Sequence, residues 1–515
     1  MLKKIEKAII SVHDKSNIEI ILKVLKKYEI QILSSGGTYK EIIKLGYKAT
    51  EISKYTKFNE LLDGRVKTLH PKIHSGILND RSNKKHSKQM KKIKYSNIDF
   101  VIVNFYPFQK VLTNKKNVKE IIENIDIGGP TMVRAAAKNF KHVSVITEKK
   151  DYKLLAQELR KYNGKTSLSF RENMASKAFN LTANYDSIVS RWFNNRLKIN
   201  FPEKITFTGN KLSDLRYGEN PHQKSSIYTN NIYNKNEGLE QIHGKKLSYN
   251  NYNDIFTGLE IISSFKKRGT VIIKHANPSG ASIDDSAIKS FNNAFNCDPV
   301  SSFGGIVVCN FKINKKIAER MSKIFFEVIM AKKFDKESVK ILKSKKNLIL
   351  IDYSKYKNNI NYQTKFFDNY FLVQDRNKMI FDRNKIKCVT KLKPTKKEIR
   401  LSEFAMNICK FVKSNSIVIS KDFSTIGIGA GQPSRVDSCK IAVNKAKQFQ
   451  AAKLKNSIAA SDAFFPFTDG MKKLIRSGVK LIIQPGGSIR DDDAIRLANK
   501  SKIKMIFTGS RHFNH

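Results

Sequence analysis

Lys274 and His275 stand side by side after the apolar run Val271 to Ile273 and before Asn277-Pro278-Ser279-Gly280. That places an imidazole, the side chain best suited to accept a proton near neutral pH, at the end of a strand and at the mouth of a turn. A second group of residues suits an anion. Ser34 to Thr38 reads SSGGT between an apolar run and a helical pattern, where free N–H groups and the helix dipole favour a phosphate on Ser35, Gly36, Gly37 and Thr38. Ser11, Lys15 and Ser16 follow the first strand, so two loops converge at the carboxyl ends of parallel strands. Gly64 to His70 (GRVKTLH) adds Arg65, Lys67 and Thr68, while Asp126 to Thr131 (DIGGPT) and Lys138 come after the strand end Asn104-Phe105-Tyr106-Pro107. Cations, a carboxylate and a phenol around one phosphorylated substrate are the chemistry this implies. Further along, Leu215 to Gln223 (LRYGENPHQ) is a dense polar cluster without periodicity. Gly429 to Arg435 (GAGQPSR), Ser461 to Gly470 (SDAFFPFTDG) and Gln484 to Asp491 (QPGGSIRD) are Gly- and aromatic-rich loops. Phe464 and Phe465, between Asp462 and Asp469, suit either a core or the flanks of a flat heterocycle. His70 and His74 are separated by Pro71 and have no nearby ligand triad, which argues against a metal.

The elements that must hold these residues are legible as alternating runs. Apolar stretches at Lys7 to Val12, Ile30 to Leu33, Phe100 to Phe105 and His142 to Ile146 alternate with helical patterns at Ile18 to Tyr28, at Tyr39 to Leu45 and through Ile121 and Ile122. Strand and helix in alternation predict a parallel α/β sheet. Short pieces around Phe170 to Leu197 close that unit, and the polar stretch Asn194 to Gln223 leads to the next. From about Thr206 the runs Val271 to Ile273, Gly305 to Val308, Ser416 to Ser420 and Lys480 to Ile483 predict a second α/β region of two similar subdomains, separated near Val389 to Lys396.

Composition excludes several classes. The chain has 515 residues, enough for more than one ordinary domain, and 96 Lys+Arg against 45 Asp+Glu give a formal charge of +51. Two explanations compete for that charge: a nucleic-acid partner, or a genome whose A/T-rich codons favour Lys, Asn and Ile over Pro and Gly. The lysines are spread from Lys3 to Lys504, and the densest patches, Lys84 to Lys94 and Lys343 to Lys346, read as solvated loops or helix faces. Clustering with interleaved aromatics, the mark of a dedicated nucleic-acid surface, is missing. Five cysteines without a C-x-x-C pair predict a reducing compartment, and no apolar run approaches the ~18 residues of a membrane span.

Taken in order, the motifs SVxDK, SGGT, GRVKTLHP, NxYPF, DIGGP, AAAKN, LRYGENPHQ, KHANP, SSFGG, GIGAGQxSR, SDAFFPF and PGGS resemble the AICAR transformylase/IMP cyclohydrolase family across essentially the whole chain. The resemblance implies an α/β chain with a methylglyoxal-synthase-like cyclohydrolase domain over 1–198 and a transformylase domain over 199–515. The latter consists of two cytidine-deaminase-like subdomains meeting near 390. It further implies a cytosolic homodimer whose transformylase sites lie across the subunit interface, with 10-formyltetrahydrofolate as co-substrate and neither a metal, a specific nucleic acid nor a membrane involved. By resemblance His275 is the base of formyl transfer and Lys274 stabilises developing charge. Arg216, Tyr217, Gly304, Glu327, Asn415, Arg435 and Arg511 match positions that hold the aminoimidazole ribonucleotide. Val436, Phe464, Asp469, Ser488 and Ile489 match folate contacts. In the first domain Ser11, His13, Lys15, Ser35 to Thr38, Arg65, Lys67, Thr68, Asn104 and Asp126 match nucleotide-binding positions, with Lys138 and Tyr106 in proton transfer. His13 departs from the family's usual Ser, Ser279 from its usual Cys, and Ser75 and Pro433 from its usual residues. A chain retaining only the transformylase activity, and a nucleic-acid binder on a retained fold, are the alternatives.

Overall fold

A computed structural model describes residues 2–114, 117–230, 238–357, 362–379 and 381–515. The chain divides into two compact units, Met1–Asn210 with Thr229–Lys235, and Lys211–Tyr228 with Asn236–His515.

In the first unit, strands β1 (Lys7–Val12), β2 (Gln31–Ser34), β3 (Thr50–Glu51), β4 (Phe100–Asn104) and β5 (Ser144–Ile146) form one sheet in the order β3-β2-β1-β4-β5, every pair parallel. Unbroken apolar runs suit strands covered on both faces, and Ala8 to Ile10 and Phe100 to Val103 are buried. The helix Ile18–Lys27 covers the sheet with Ile18, Ile21, Leu22, Val24 and Leu25. Ser11 lies within β1, paired with Val103, and not in the loop after it. The short pieces expected around Phe170 to Leu197 are instead one helix, Leu168–Arg196. Its buried stripe Phe170, Met174, Ala178, Tyr185, Ile188 and Trp192 keeps helical spacing. Arg171 interrupts the stripe in sequence but not in space: fully buried, it donates to the carbonyls of Phe140 at 2.8 Å and Lys141 at 3.2 Å, and to that of Thr166. The Lys84–Lys92 helix buries only Met90, so the basic patch is a solvated face.

The second unit is built on a twelve-stranded sheet. Its strands are β6 (Glu240–His243), β7 (Gly269–Lys274), β8 (Asn277–Ile283), β9 (Ile306–Ile313), β10 (Val328–Phe334), β11 (Ile349–Asp352), β12 (Lys387–Cys388), β13 (Ile417–Lys421), β14 (Ser424–Gly429), β15 (Ser457–Ser461), β16 (Val479–Gln484) and β17 (Lys504–Phe507). The order β6-β11-β10-β9-β7-β8-β14-β13-β15-β16-β17-β12 repeats one six-stranded motif about its middle. Each half has an antiparallel hairpin (β7-β8, β13-β14), three parallel strands (β9 to β11, β15 to β17) and a short antiparallel edge (β6, β12). The repeat reaches fine detail. Both hairpins close with two residues in left-handed conformation, His275-Ala276 and Asp422-Phe423, as a tight primed turn demands. Each carries one extra residue, Ser279 and Ile426, where the register slips. The halves join at Ser282 and Ser424, whose hydroxyls lie 2.9 Å apart, and through Thr425 Oγ1, which accepts the Ala281 N–H at 2.9 Å. No helix among the described residues is long and apolar enough to cross a membrane.

Candidate functional sites

At the carboxyl ends of β1, β2 and β4 the first unit gathers most of the predicted nucleotide residues. The helix Gly36–Lys44 starts directly after β2 and Ser35 makes no side-chain cap, so its first N–H groups are open to an anion. Two lysines lie over that end. A Cβ on Gly36 (φ +52°) would stand 2.7 Å from Lys67 Nζ, and one on Gly37 would stand 3.5 Å from Lys15 Cε, so glycine admits both cations. Thr38 is buried and locks this turn to β1, accepting the Val12 N–H and donating to the Val12 carbonyl, both at 3.0 Å. Asn104 does the same for the next loop: Oδ1 accepts the N–H groups of His13 at 2.6 Å and Asp14 at 3.0 Å, while Nδ2 donates to the Asp14 carbonyl at 3.0 Å.

The opposite wall is the start of helix Gly128–Lys138. Thr68 Oγ1 packs against Gly128, 2.7 Å from where a Cβ would be. Asp126 accepts the Gly129 N–H at 2.9 Å, and burial pushes its carboxyl above the usual range against the pull of the Gly129 and Tyr106 N–H groups and of His13. Tyr106 is about half exposed, and its ring centroid lies 5.0 Å from that of His13. Burial, then Lys15 and Lys110, hold the His13 imidazole below its ordinary pKa. Two predicted residues stand apart. Arg65 forms a two-pronged ion pair with Glu123, exposed to solvent. Lys138 ends the helix that Gly128 begins, about 15 Å further along at 1.5 Å per residue. There it lines an open cleft of about 640 Å³ with Arg134, Glu172 and Phe179. His70 caps the helix Pro71–Leu78, its Nδ1 accepting the Lys72 N–H at 3.0 Å.

In the second unit the Lys274-His275 pair sits at the tip of the β7-β8 hairpin. Lys274 Nζ donates to the Gly304 carbonyl at 3.0 Å, and Gly304 (φ +67°) leaves space that a Cβ would take 3.2 Å from that nitrogen. Three residues that sequence reasoning missed organise the surroundings. Asn250, Asn251 and Asp254 belong to the helix Tyr249–Ser263, which opens with a reciprocal capping box between Ser248 and Asn251. Asn250 donates to the Glu219 carbonyl at 3.1 Å, in the loop of Arg216 and Tyr217. Asn251 donates to Glu327 Oε2 at 2.9 Å, and Asp254 Oδ1 accepts the Ala276 N–H at 2.6 Å. The capping box at Ser248 was the available signal. The polar loop itself is a folded turn, with Gly218 N–H donating to Gln223 O at 2.7 Å and Arg216 over the Tyr217 ring at 5.2 Å.

Asn277 Oδ1 accepts the Lys413 N–H at 2.9 Å, which ties the Lys274-His275 turn to the neighbourhood of Asn415. Asn415 Oδ1 accepts from Arg435 Nη2 at 2.7 Å. Arg435 is buried and ion-paired to the fully buried Asp462, with Ser461 Oγ 2.7 Å from its other nitrogen. The guanidinium is thus held by internal partners. The tail returns alongside: His512 N–H donates to the Asp462 carbonyl at 2.9 Å, and the exposed Arg511 lies over Phe513 at 4.4 Å. Phe465 is core, its N–H bonded to Gln484 Oε1 at 2.8 Å, whereas Phe464 is half-buried. Val436 is half-buried at the start of the helix Arg435–Leu454, Asp469 and Ile489 are exposed, and Ser488 Oγ accepts the Arg490 N–H at 3.1 Å. Ser279, the extra residue of its hairpin, is buried and bonds to the Ile272 carbonyl at 3.2 Å.

Two family models match the chain, meeting well inside the first unit. Residues 17–131 match an MGS-like domain, and residues 136–445 match the AICARFT/IMPCHase bienzyme family. The chain is 43% identical to a bifunctional purine biosynthesis protein PurH from a Thermoanaerobacter species, over 99% of this chain and all of the relative. It is 42% identical to PurH of Bradyrhizobium diazoefficiens, over 100% of this chain and 99% of that one. PurH of Leptospira biflexa is also 42% identical, over 99% of this chain and all of the relative. Likeness at that level from end to end, on a fold that keeps both loop clusters, makes this chain a member of the AICARFT/IMPCHase bienzyme family of purine biosynthesis.

Proposed function

We propose that the second unit transfers a formyl group from 10-formyltetrahydrofolate to AICAR, giving FAICAR, and that the first unit closes FAICAR to IMP with loss of water. The turn carrying Lys274 and His275 is the observation that supports this reading most directly. The attacking amine is conjugated with a carboxamide and is a weak nucleophile, so a base must remove its proton as the new C–N bond forms. His275 takes that proton, and Lys274, anchored on the Gly304 carbonyl, faces the charge that develops and helps the folate nitrogen leave as its bond to the formyl carbon breaks, releasing tetrahydrofolate. The formyl-folate supplies the one-carbon unit. A half-buried Phe464 beside a core Phe465, with the exposed Asp469 and Ile489 near the ends of neighbouring strands, fits a flat heterocycle with polar edges.

Ring closure is intramolecular, so holding the nucleotide in a reactive shape supplies much of the rate. Lys15, Lys67 and the start of the Gly36–Lys44 helix hold the phosphate, Asp126 contacts the nucleotide, and Tyr106 and Lys138 serve proton transfer. The chain works as a cytosolic homodimer in this reading. His275→Ala tests it: formyl transfer is lost while ring closure of supplied FAICAR persists. Loss of both in a folded variant contradicts the two-site assignment, and no IMP from AICAR and formyl-folate with the unaltered protein defeats it.

A further inference from the structure

Three segments assigned above to one substrate site meet on the first turns of the helix Tyr249–Ser263. The polar loop is held through Asn250, Glu327 through Asn251, and the reactive turn through Asp254. The helix is a firm base, since Ile255, Leu259 and Ile262 are buried beneath it.

The reactive turn needs such a base. His275 (φ +52°) and Ala276 (φ +55°) are consecutive non-glycine residues in left-handed conformation, which costs roughly 1–2 kcal/mol per residue. In the second half of the sheet the corresponding turn is secured by apolar packing, Phe423 lying against Phe404 of the helix Lys396–Cys409 with ring centroids 6.3 Å apart. In the first half, a half-buried carboxylate replaces the ring. Desolvation raises the Asp254 carboxyl above the usual range, opposed by the Ala276 N–H and by the charges of His275 and Lys274.

We propose that Asp254 is the positioning residue of formyl transfer: by accepting the Ala276 N–H it fixes the left-handed pair, and with it the direction in which His275 presents its imidazole. Asp254 acts on the rate through His275, without touching substrate. The inference rests on the reading of His275 as the base.

Steady-state formyl transfer by full-length Asp254→Ala and Asp254→Asn, with ring closure of supplied FAICAR followed in parallel, tests the assignment. D254A is expected to lower kcat of transfer roughly 30-fold, about 2 kcal/mol, with KM for AICAR changed less than about 3-fold and ring closure retained. D254N, whose amide oxygen still accepts the Ala276 N–H, recovers most of that kcat. An unchanged kcat in D254A, a change confined to KM, or a D254N as slow as D254A overturns the proposal. If D254A loses ring closure too, through misfolding, D254N against D254E decides, the longer glutamate being expected to lose transfer and equal rates overturning the proposal. Unaltered protein without transfer would instead remove the His275 reading itself.

Discussion

Replacing Asn104 by alanine removes three hydrogen bonds from the loop that carries Lys15. Asn104 Oδ1 holds the His13 and Asp14 N–H groups, and Nδ2 holds the Asp14 carbonyl. At about 1 kcal/mol net for each bond, the loop loses at most about 3 kcal/mol of ordering free energy. The His13 contact is near the surface, where water replaces part of the loss, so about 2–3 kcal/mol is the working value. That energy keeps Lys15 over Gly37, so its loss appears as a fall of roughly 30- to 150-fold in kcat/KM for ring closure. The assay is conversion of supplied FAICAR to IMP, with formyl transfer by the same preparation as the internal control. A variant within about threefold of the parent, or an equal loss in both reactions, refutes the assignment of Asn104 to loop positioning.

Arg435→Met leaves the fully buried Asp462 without its ion-pair partner and is expected to cost about 3–5 kcal/mol of unfolding free energy. An unchanged denaturant midpoint would show that the pair contributes little. A second expectation concerns acid. Burial holds His13, His74 and His142 below the ordinary value of 6.5, so as pH falls through 6.5 the unfolded chain binds protons before the folded one. Their contribution to stability is complete above that pH and is lost below it. The thermal midpoint should therefore fall between pH 7.5 and 5.5, and a flat profile contradicts the reasoning.

The parallel sheet was readable because its strands are unbroken apolar runs, and the anion loop because Ser35 to Thr38 follows one of them directly. The helix Leu168–Arg196 was hidden by Arg171, Thr182 and Ser187, polar residues that its buried face accommodates. Arg171 is at home there only because carbonyls distant in sequence surround it. The same difficulty conceals Asn250, Asn251 and Asp254, ordinary polar residues in sequence that acquire meaning from partners as far away as Glu327. Lys138 lies twelve residues from Asp126 in sequence, and the helix Gly128–Lys138 sets it at the opposite end from Gly128. Phe464 and Phe465 are equivalent in sequence, and only the sheet decides which one faces inward.

The left-handed pair at His275-Ala276 has its twin at Asp422-Phe423, down to a lysine at the end of each first strand, Lys274 and Lys421, that donates to main-chain carbonyls. The backbone shape of the turn is therefore independent of the imidazole, because it persists where none stands. The same turn is braced differently in each copy, by the Asp254 carboxylate in one and by the Phe423–Phe404 ring contact in the other. The redundancy of the sheet thus supplies two hairpins of one backbone shape, of which one carries an imidazole and the other a phenyl ring at its tip.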